Sequence, residues 1–142
     1  MKELVLFYSY SGNTKGAAEK FARENNCDIC EITDVKKPGK IAAYTAGIIK
    51  VFRNSARPIK PLMLATGNAV NFGDYEIINI FTPVWADHPT PSVVGALKLL
   101  PNGAKIKLFM ISASGKSGKE SVTKRFNDLG LEILGYEDIL IK

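Results

Sequence analysis

An apolar run at residues 4–8 leads, through a short polar connection, into a helical pattern. The run reads Leu-Val-Leu-Phe-Tyr, and the spacing of Ala17, Ala18 and Phe21 indicates the buried side of a helix. A strand that continues so soon into a helix constrains the fold, because the helix starts at the carboxyl end of the strand. This arrangement is typical of a parallel sheet covered by helices.

The connection consists of small polar residues that suit an anion. Amides at a helix start have no intrahelical partner, and the helix dipole adds about half a positive charge there. Hydroxyl groups supply further donors, and a glycine lets the backbone approach a ligand closely. We therefore predict a phosphate-bearing ligand at this first loop, which consists of Ser9, Tyr10, Ser11, Gly12, Asn13 and Thr14. Helix capping without a ligand is the alternative that these residues leave open.

Strand and helix patterns alternate through the rest of the chain. Strands are predicted at residues 4–9, 28–33, 75–81, 105–111 and 131–141, and helices at residues 14–25, 41–52, 91–100 and from about 118 to 130. The alternation predicts an α/β fold with a parallel sheet and helices on both faces, in one domain that spans residues 1–142. Ligands of such sheets bind at the carboxyl ends of the strands, near the point where the strand order reverses.

Start signals mark the last two predicted helices. Thr90 is expected to cap the third helix, with Pro91 at its first position. The segment Ser117-Gly118-Lys119-Glu120 is expected to be a capping box that opens the fourth helix. The side chains predicted to face the sheet from these two helices are Val94, Leu97, Leu100, Val122, Phe126 and Leu129.

Two further loops follow predicted strands. The second loop is Thr82-Pro83-Val84-Trp85-Ala86-Asp87-His88-Pro89-Thr90-Pro91, and the third is Ser112-Ala113-Ser114-Gly115 after the strand residues Phe109-Met110-Ile111. Together the three loops resemble the flavodoxin family. Its phosphate loop is a run of serines and threonines with a Gly-Asn-Thr-like end, and a Thr-Pro-Val-Trp-like loop follows its third strand. The resemblance covers nearly the whole chain, with the loops in the right order.

The resemblance implies a flavodoxin-like three-layer sandwich with a five-stranded parallel sheet of order 2-1-3-4-5. In that order the first and third strands are neighbours, so the first and second loops meet across one crevice. The implied cofactor is FMN, whose phosphate the first loop would hold while Trp85 stacks on the isoalloxazine ring. Other ring contacts are implied for residues of the second and third loops, which are Pro83, Val84, Ala86, Asp87 and His88, and Ser112, Ala113, Ser114 and Gly115.

By the same resemblance, the protein would carry electrons between redox partner proteins, a reductase and an acceptor. An FMN-dependent NAD(P)H:quinone oxidoreductase of the same fold is one alternative. A flavin-free interaction module that uses the basic segment 36–60 is another. The family's last helix has no counterpart after the fifth predicted strand, so part of one sheet face is expected to be uncovered. A homodimer would cover such a face.

Basic residues are concentrated in one segment of the chain. The net charge is +5, and between Val35 and Gly73 there is no aspartate or glutamate. A solvated face and a docking surface for an acidic partner are the two interpretations of this segment. A nucleic-acid partner is not expected, because few aromatic residues lie among the basic ones. Residues 54–74 are predicted to form a long loop. The basic residues are Lys36, Lys37, Lys40, Lys50, Arg53, Arg57 and Lys60.

Several other motifs do not indicate a site. Cys27 and Cys30 enter a strand, where residues three apart point to opposite faces, so free thiols are predicted. Gly115-Lys116-Ser117 lacks the first glycine of a nucleotide P-loop, because Met110 stands in its place. With His88 as the single histidine, a structural zinc site lacks ligands. No stretch has the length and hydrophobicity of a membrane span, and residues 1–3 lack signal-peptide flanks, so we expect a cytoplasmic protein.

Overall fold

Five parallel strands form the central sheet of the protein. The computed structural model of the chain describes residues 2–9, 12–35, 59–85 and 88–140. Its strands are β1 (Lys2–Phe7), β2 (Asp28–Glu31), β3 (Tyr75–Trp85), the two-residue β4 (His88–Pro89), β5 (Lys105–Ser112) and β6 (Glu132–Leu140). The order across the sheet is β2-β1-β3-β5-β6, and β4 pairs antiparallel with β3. Counting the parallel strands alone, this confirms the predicted order 2-1-3-4-5.

Helices cover both faces of this sheet. The described helices are α1 (Asn13–Asn25), α2 (Pro91–Leu97) and α3 (Lys119–Asp128), with a 3₁₀ turn at Phe72–Asp74. One buried cluster joins α2 and α3 to the sheet face that carries Leu4, Leu6 and Ile80, and a second cluster joins α1 to the opposite face. The predicted three-layer α/β sandwich is therefore confirmed. The helix predicted for residues 41–52 lies outside the described residues.

Strand β3 is four residues longer than predicted. It extends through Thr82, Pro83, Val84 and Trp85, which sequence reasoning had placed in a surface loop. Thr82 and Pro83 continue the parallel pairing with β5, and Trp85 then pairs with His88 of β4. β-Branched and aromatic residues fit this extended backbone well. The second loop therefore consists mostly of the β3–β4 hairpin and ends at the start of α2.

A hairpin covers the outer edge of β2 where a long loop was predicted. Residues 59–64 run antiparallel to β2 and its continuation, with bridges from Asp34 to Ile59 and from Cys30 to Leu64. The segment then turns back, with Leu64 N donating to Asn68 O at 2.7 Å. Backbone groups at the edge of a sheet need partners, and this hairpin supplies them for β2.

Three phenylalanines hold α1 against the sheet. The rings of Phe81 and Phe109, on neighbouring strands, stack with their centroids 4.4 Å apart. Phe21 of α1 lies over both, at centroid distances of 5.4 and 5.2 Å. Two residues toward the amino ends of the strands, the same sheet face carries the polar pair Asn79 and Lys107. On β3 and β5 this face thus changes from apolar to polar within two residues.

Replacement of Phe81 by Ala should strongly destabilise the fold. The change removes both ring contacts and leaves a cavity under α1, a type of change that costs about 3–5 kcal/mol. The measurement is the free energy of unfolding from urea denaturation followed by circular dichroism. The control is Leu99→Ala, because Leu99 is exposed and its truncation should cost less than about 0.5 kcal/mol. Equal costs for the two variants would contradict this assignment of the core.

The two cysteines are free thiols on opposite faces of the sheet. Cys30 is buried against the α2 and α3 side, whereas Cys27 packs against the α1 side. Burial raises the pKa of the Cys30 thiol to about 11. Burial also raises the pKa of the Cys27 thiol, and the charges of Glu3 and Asp28 add to the effect. Both thiols are therefore protonated at neutral pH, and the prediction of free thiols is confirmed.

Native protein should react slowly with thiol reagents at pH 8. A thiol with a pKa of about 11 is ionised to roughly one part in a thousand at that pH, and the thiolate is the reactive form. We expect negligible labelling of Cys30 by iodoacetamide until urea unfolds the protein, with Cys27 labelled at an intermediate rate. Mass spectrometry of time points measures both. Rapid labelling of Cys30 in the native protein would contradict its burial.

Candidate functional site

The three predicted loops follow the carboxyl ends of three neighbouring parallel strands. Phe7, Phe81 and Phe109 are register partners on β1, β3 and β5, and all three strands run in the same direction. Beyond Phe7, Tyr8 N still donates to Phe81 O at 3.1 Å. The first loop therefore begins beside the last part of β3, which carries the second loop. The third loop begins at the end of β5 on the other side of β3.

The first loop connects the end of β1 to the start of α1. Gly12 is the N-cap residue of α1, and a glycine has no side chain with which to cap the helix. Its φ of 99° is a conformation that glycine adopts without strain. Ser9 Oγ accepts a hydrogen bond from Gly12 N at 3.0 Å, which closes the loop on itself. The backbone amides at the start of a helix are donors, and the chemistry of this loop fits a bound anion.

The other residues of the first loop lie around this helix start. Thr14 is buried in the first turn of α1, and Asn13 is exposed beside it. Tyr10 and Ser11 lie outside the described residues. Contacts of any of these residues with a phosphate stay a prediction.

The second loop has a rigid base that sequence reasoning missed. Thr82 is fully buried; its Oγ1 accepts a hydrogen bond from Thr90 N at 3.3 Å and donates one to Pro83 O at 2.9 Å. This hydroxyl ties the two ends of the β3–β4 hairpin together. Pro83 and Val84 are half-buried on the hairpin. A strand-forming threonine gives no sequence signal for such a role.

The tip of the second loop carries the residues implied to contact a flavin. The backbones of Trp85 and His88 are register partners in the hairpin. Ala86 and Asp87, between them, lie outside the described residues. The stacking of Trp85 on a flavin stays a prediction, as do the ring contacts of the other residues.

The third loop is a compact serine turn. Ser112 Oγ accepts a hydrogen bond from Gly115 N at 3.0 Å, and Ser114 Oγ accepts one from Lys116 N at 3.2 Å. Gly115 has a φ of 70°, and an added Cβ would meet Leu140 at 3.5 Å. Ala113 and Ser114 are exposed at the outside of the turn. The amide of Gly115 is engaged within the turn, and contacts of this loop with a ligand stay a prediction.

A hydroxyl network anchors Ser117, two residues after the third loop, to β6. Ser117 Oγ donates to Asp138 Oδ1 at 2.5 Å and also forms a hydrogen bond with the Tyr136 hydroxyl. The predicted capping box is therefore wrong, because α3 starts after Gly118 with no side-chain cap. A carboxylate is a stronger hydrogen-bond partner for the serine than a helix amide. Burial raises the pKa of Tyr136, although its bond to Ser117 opposes the shift.

A buried carboxylate joins the first and second loops, and sequence reasoning did not single it out. Asp34 follows β2 and is buried. Its Oδ2 accepts a hydrogen bond from the Tyr8 hydroxyl at 2.6 Å, and its Oδ1 accepts one from Ser92 Oγ. Tyr8 directly precedes the first loop, and Ser92 follows the second loop at the start of α2.

Most of the basic segment lies outside the described residues. Of its seven basic side chains, Lys60 belongs to the described part. It lines a groove of about 410 Å³ between α1 and the edge hairpin, together with Lys15, Glu19 and Glu31. The described rim of the segment is therefore mixed in charge.

Within residues 2–9, 12–35, 59–85 and 88–140, His, Cys, Asp and Glu side chains form no group of three that could bind a metal ion. None of the described helices has the length and hydrophobicity that crossing a bilayer requires.

Comparison with solved structures gives several similar folds. A flavoprotein from Lactobacillus acidophilus NCFM, solved in complex with FMN, has a TM-score of 0.75 at 23% identity, over 95% of this chain and 91% of that one. A putative flavoprotein from Bacteroides eggerthii has a TM-score of 0.76 at 18% identity, over 96% and 86% of the two chains. An archaeal flavodoxin has a TM-score of 0.55 at 16% identity, over 100% and 85%. No protein-family model matches the sequence, and no curated protein matches it.

Replacement of Ser117 by Ala should destabilise the protein by about 1–3 kcal/mol. The change leaves the Asp138 carboxylate and the Tyr136 hydroxyl without their shared partner, and a hydrogen bond to a charged group contributes in that range. Urea denaturation measures the loss. The control is Ser121→Ala on the exposed side of α3, for which a change within about 0.5 kcal/mol is expected. Equal behaviour of the two variants would show that Ser117 is not anchored in this way.

Proposed function

We propose that this chain, which has the fold of the flavodoxins, binds FMN and transfers electrons between redox partners. One observation carries the proposal: three polar loops emerge at the carboxyl ends of the adjacent strands β1, β3 and β5. The first of these loops ends at the start of α1, where Gly12 is the N-cap residue. Such a site suits a ligand with a phosphate at one end and a planar ring at the other. The solved flavoprotein from Lactobacillus acidophilus, similar in fold, is a complex with FMN.

The roles proposed for the chain follow the three loops. The first loop would bind the phosphate through the amides at the start of α1 and the hydroxyls of Ser9, Ser11 and Thr14. Trp85 would stack on the ring from the hairpin tip, and the serine turn would offer backbone amides to the polar edge of the ring. The flavin would supply the one- or two-electron chemistry. The protein would orient it, exclude water from one ring face and tune its potential through nearby charges.

The proposed setting is the cytoplasm, with protein partners for electron donation and acceptance. Free thiols at Cys27 and Cys30 fit a reducing compartment. The basic segment 36–60 would favour an acidic partner, and association would then weaken as salt is added. Turnover of NAD(P)H with a quinone by the protein alone would indicate the oxidoreductase instead of the carrier.

Purified protein should bind FMN with a visible flavin spectrum that follows the protein through gel filtration. Thr14→Val should weaken FMN binding by about tenfold and leave riboflavin binding nearly unchanged, because one hydroxyl bond to a charged phosphate is lost. Trp85→Leu should weaken the binding of both ligands, since stacking contributes about 0.5–1.5 kcal/mol beyond buried area. Quenching of flavin fluorescence on titration gives the two dissociation constants.

The matched control is Ser121→Ala, on the exposed side of α3 and outside the three loops. It should bind both ligands as the unchanged protein does. Failure of the unchanged protein to bind FMN at neutral pH would overturn the proposed function. A loss of riboflavin binding in Thr14→Val equal to the loss of FMN binding would overturn the assignment of the first loop to the phosphate.

A further inference from the structure

The Asp34 carboxylate lies where three parts of the fold meet. It follows β2, and its backbone forms an antiparallel bridge with Ile59 of the edge hairpin. Its side chain is turned inward and exposes 6% of its surface. A carboxylate this deeply buried must be hydrogen-bonded, because removing a charge from water is costly. The groups that bond to it therefore matter for the folded state.

Both described donors to Asp34 belong to elements that carry the predicted site. Tyr8 exposes 3% of its surface and is the residue directly before the first loop. Ser92 exposes 2% and is the second residue of α2, directly after the hairpin that forms the second loop. Hydrogen bonds of a neutral donor to a carboxylate are stronger than those between neutral groups. The Asp34 side chain thus bonds both to the residue before the first loop and to the residue after the second loop.

We propose that Asp34 is a positioning residue for FMN, which fixes the first loop and the second loop at the separation that one FMN molecule can span. This inference rests on the proposed function. A ligand that contacts two loops at once gains affinity because its second contact is intramolecular, and this gain depends on the distance between the loops. Loss of the shared acceptor therefore lowers the affinity for the bridging ligand and spares ligands that contact one loop.

The test compares FMN with riboflavin and with inorganic phosphate. Asp34→Asn keeps the size of the side chain but turns one acceptor oxygen into an NH₂ donor, so one hydroxyl loses its acceptor. We expect FMN affinity to fall by about tenfold or more, as for loss of a bond to a charged group. Riboflavin and phosphate, each of which contacts one end of the site, should change by less than about twofold.

Two milder variants keep the carboxylate in place and carry the test if Asp34→Asn does not fold. Tyr8→Phe removes the link to the first loop, and Ser92→Ala removes the link to the second. Each should weaken FMN several-fold with riboflavin nearly unchanged. Their double variant should lose less than the product of the two single losses, because either change already uncouples the loops.

The matched control is Tyr75→Phe. Tyr75 makes the same kind of bond, from its hydroxyl to Asp28 Oδ2 at 2.8 Å, but at the amino ends of the strands. Burial and the Asp28 bond raise the pKa of Tyr75 to about 12. This variant should lower thermal stability and leave all three affinities unchanged. Circular dichroism of each ligand-free variant shows that the fold is retained.

The outcomes separate the two proposals. If the unchanged protein does not bind FMN, the proposed function and the positioning role are both overturned. If it binds FMN and the Asp34, Tyr8 and Ser92 variants bind FMN equally well, the positioning role alone is overturned. An equal loss for FMN and riboflavin also overturns it, because it would show a local distortion of the ring site and not a change in loop separation.

Discussion

Strand β1 is the element on which the rest of the structure depends. It pairs with β2 on one side and β3 on the other, and its residues Leu4–Phe7 are buried on both faces of the sheet. A strand in that position cannot shift its register without moving one set of apolar side chains out of each layer. The position of its carboxyl end is therefore fixed relative to the neighbouring strands. The first loop starts from that point, and the neighbouring ends of β3 and β5 are fixed relative to it.

Buried polar side chains then decide how the loops sit on this frame. Thr82 closes the base of the β3–β4 hairpin, Ser112 closes the serine turn, and Ser117 joins the segment after that turn to β6. Asp34 connects Tyr8, before the first loop, to Ser92, after the second. In a buried setting each of these groups needs its partner, because an unsatisfied polar group is costly. The loops are thus held by directional bonds in addition to apolar packing.

Sequence reasoning succeeded where a local pattern is enforced by the whole fold. The alternation of apolar strands and amphipathic helices predicted the parallel sheet, and the buried positions Val94, Leu97, Val122 and Phe126 agree with helical spacing. It failed where two local preferences compete. Ser117 has the spacing of a helix cap, but a carboxylate on a distant strand binds it. Thr82 to Trp85 have the composition of a proline-containing loop, yet pairing with β5 and β4 extends the strand.

The sequence by itself determined the fold class, the strand order expected from a family resemblance, and the three loops as candidate ligand contacts. These follow from hydrophobic periodicity and from short runs of small polar residues, which are local properties of the chain. Only the tertiary structure decided that Asp34 bonds to both Tyr8 and Ser92, residues 26 and 58 positions away. It also decided that residues 59–65 pair with the edge of β2 and its continuation. Such contacts depend on which strands become neighbours, and no short stretch of sequence contains that information.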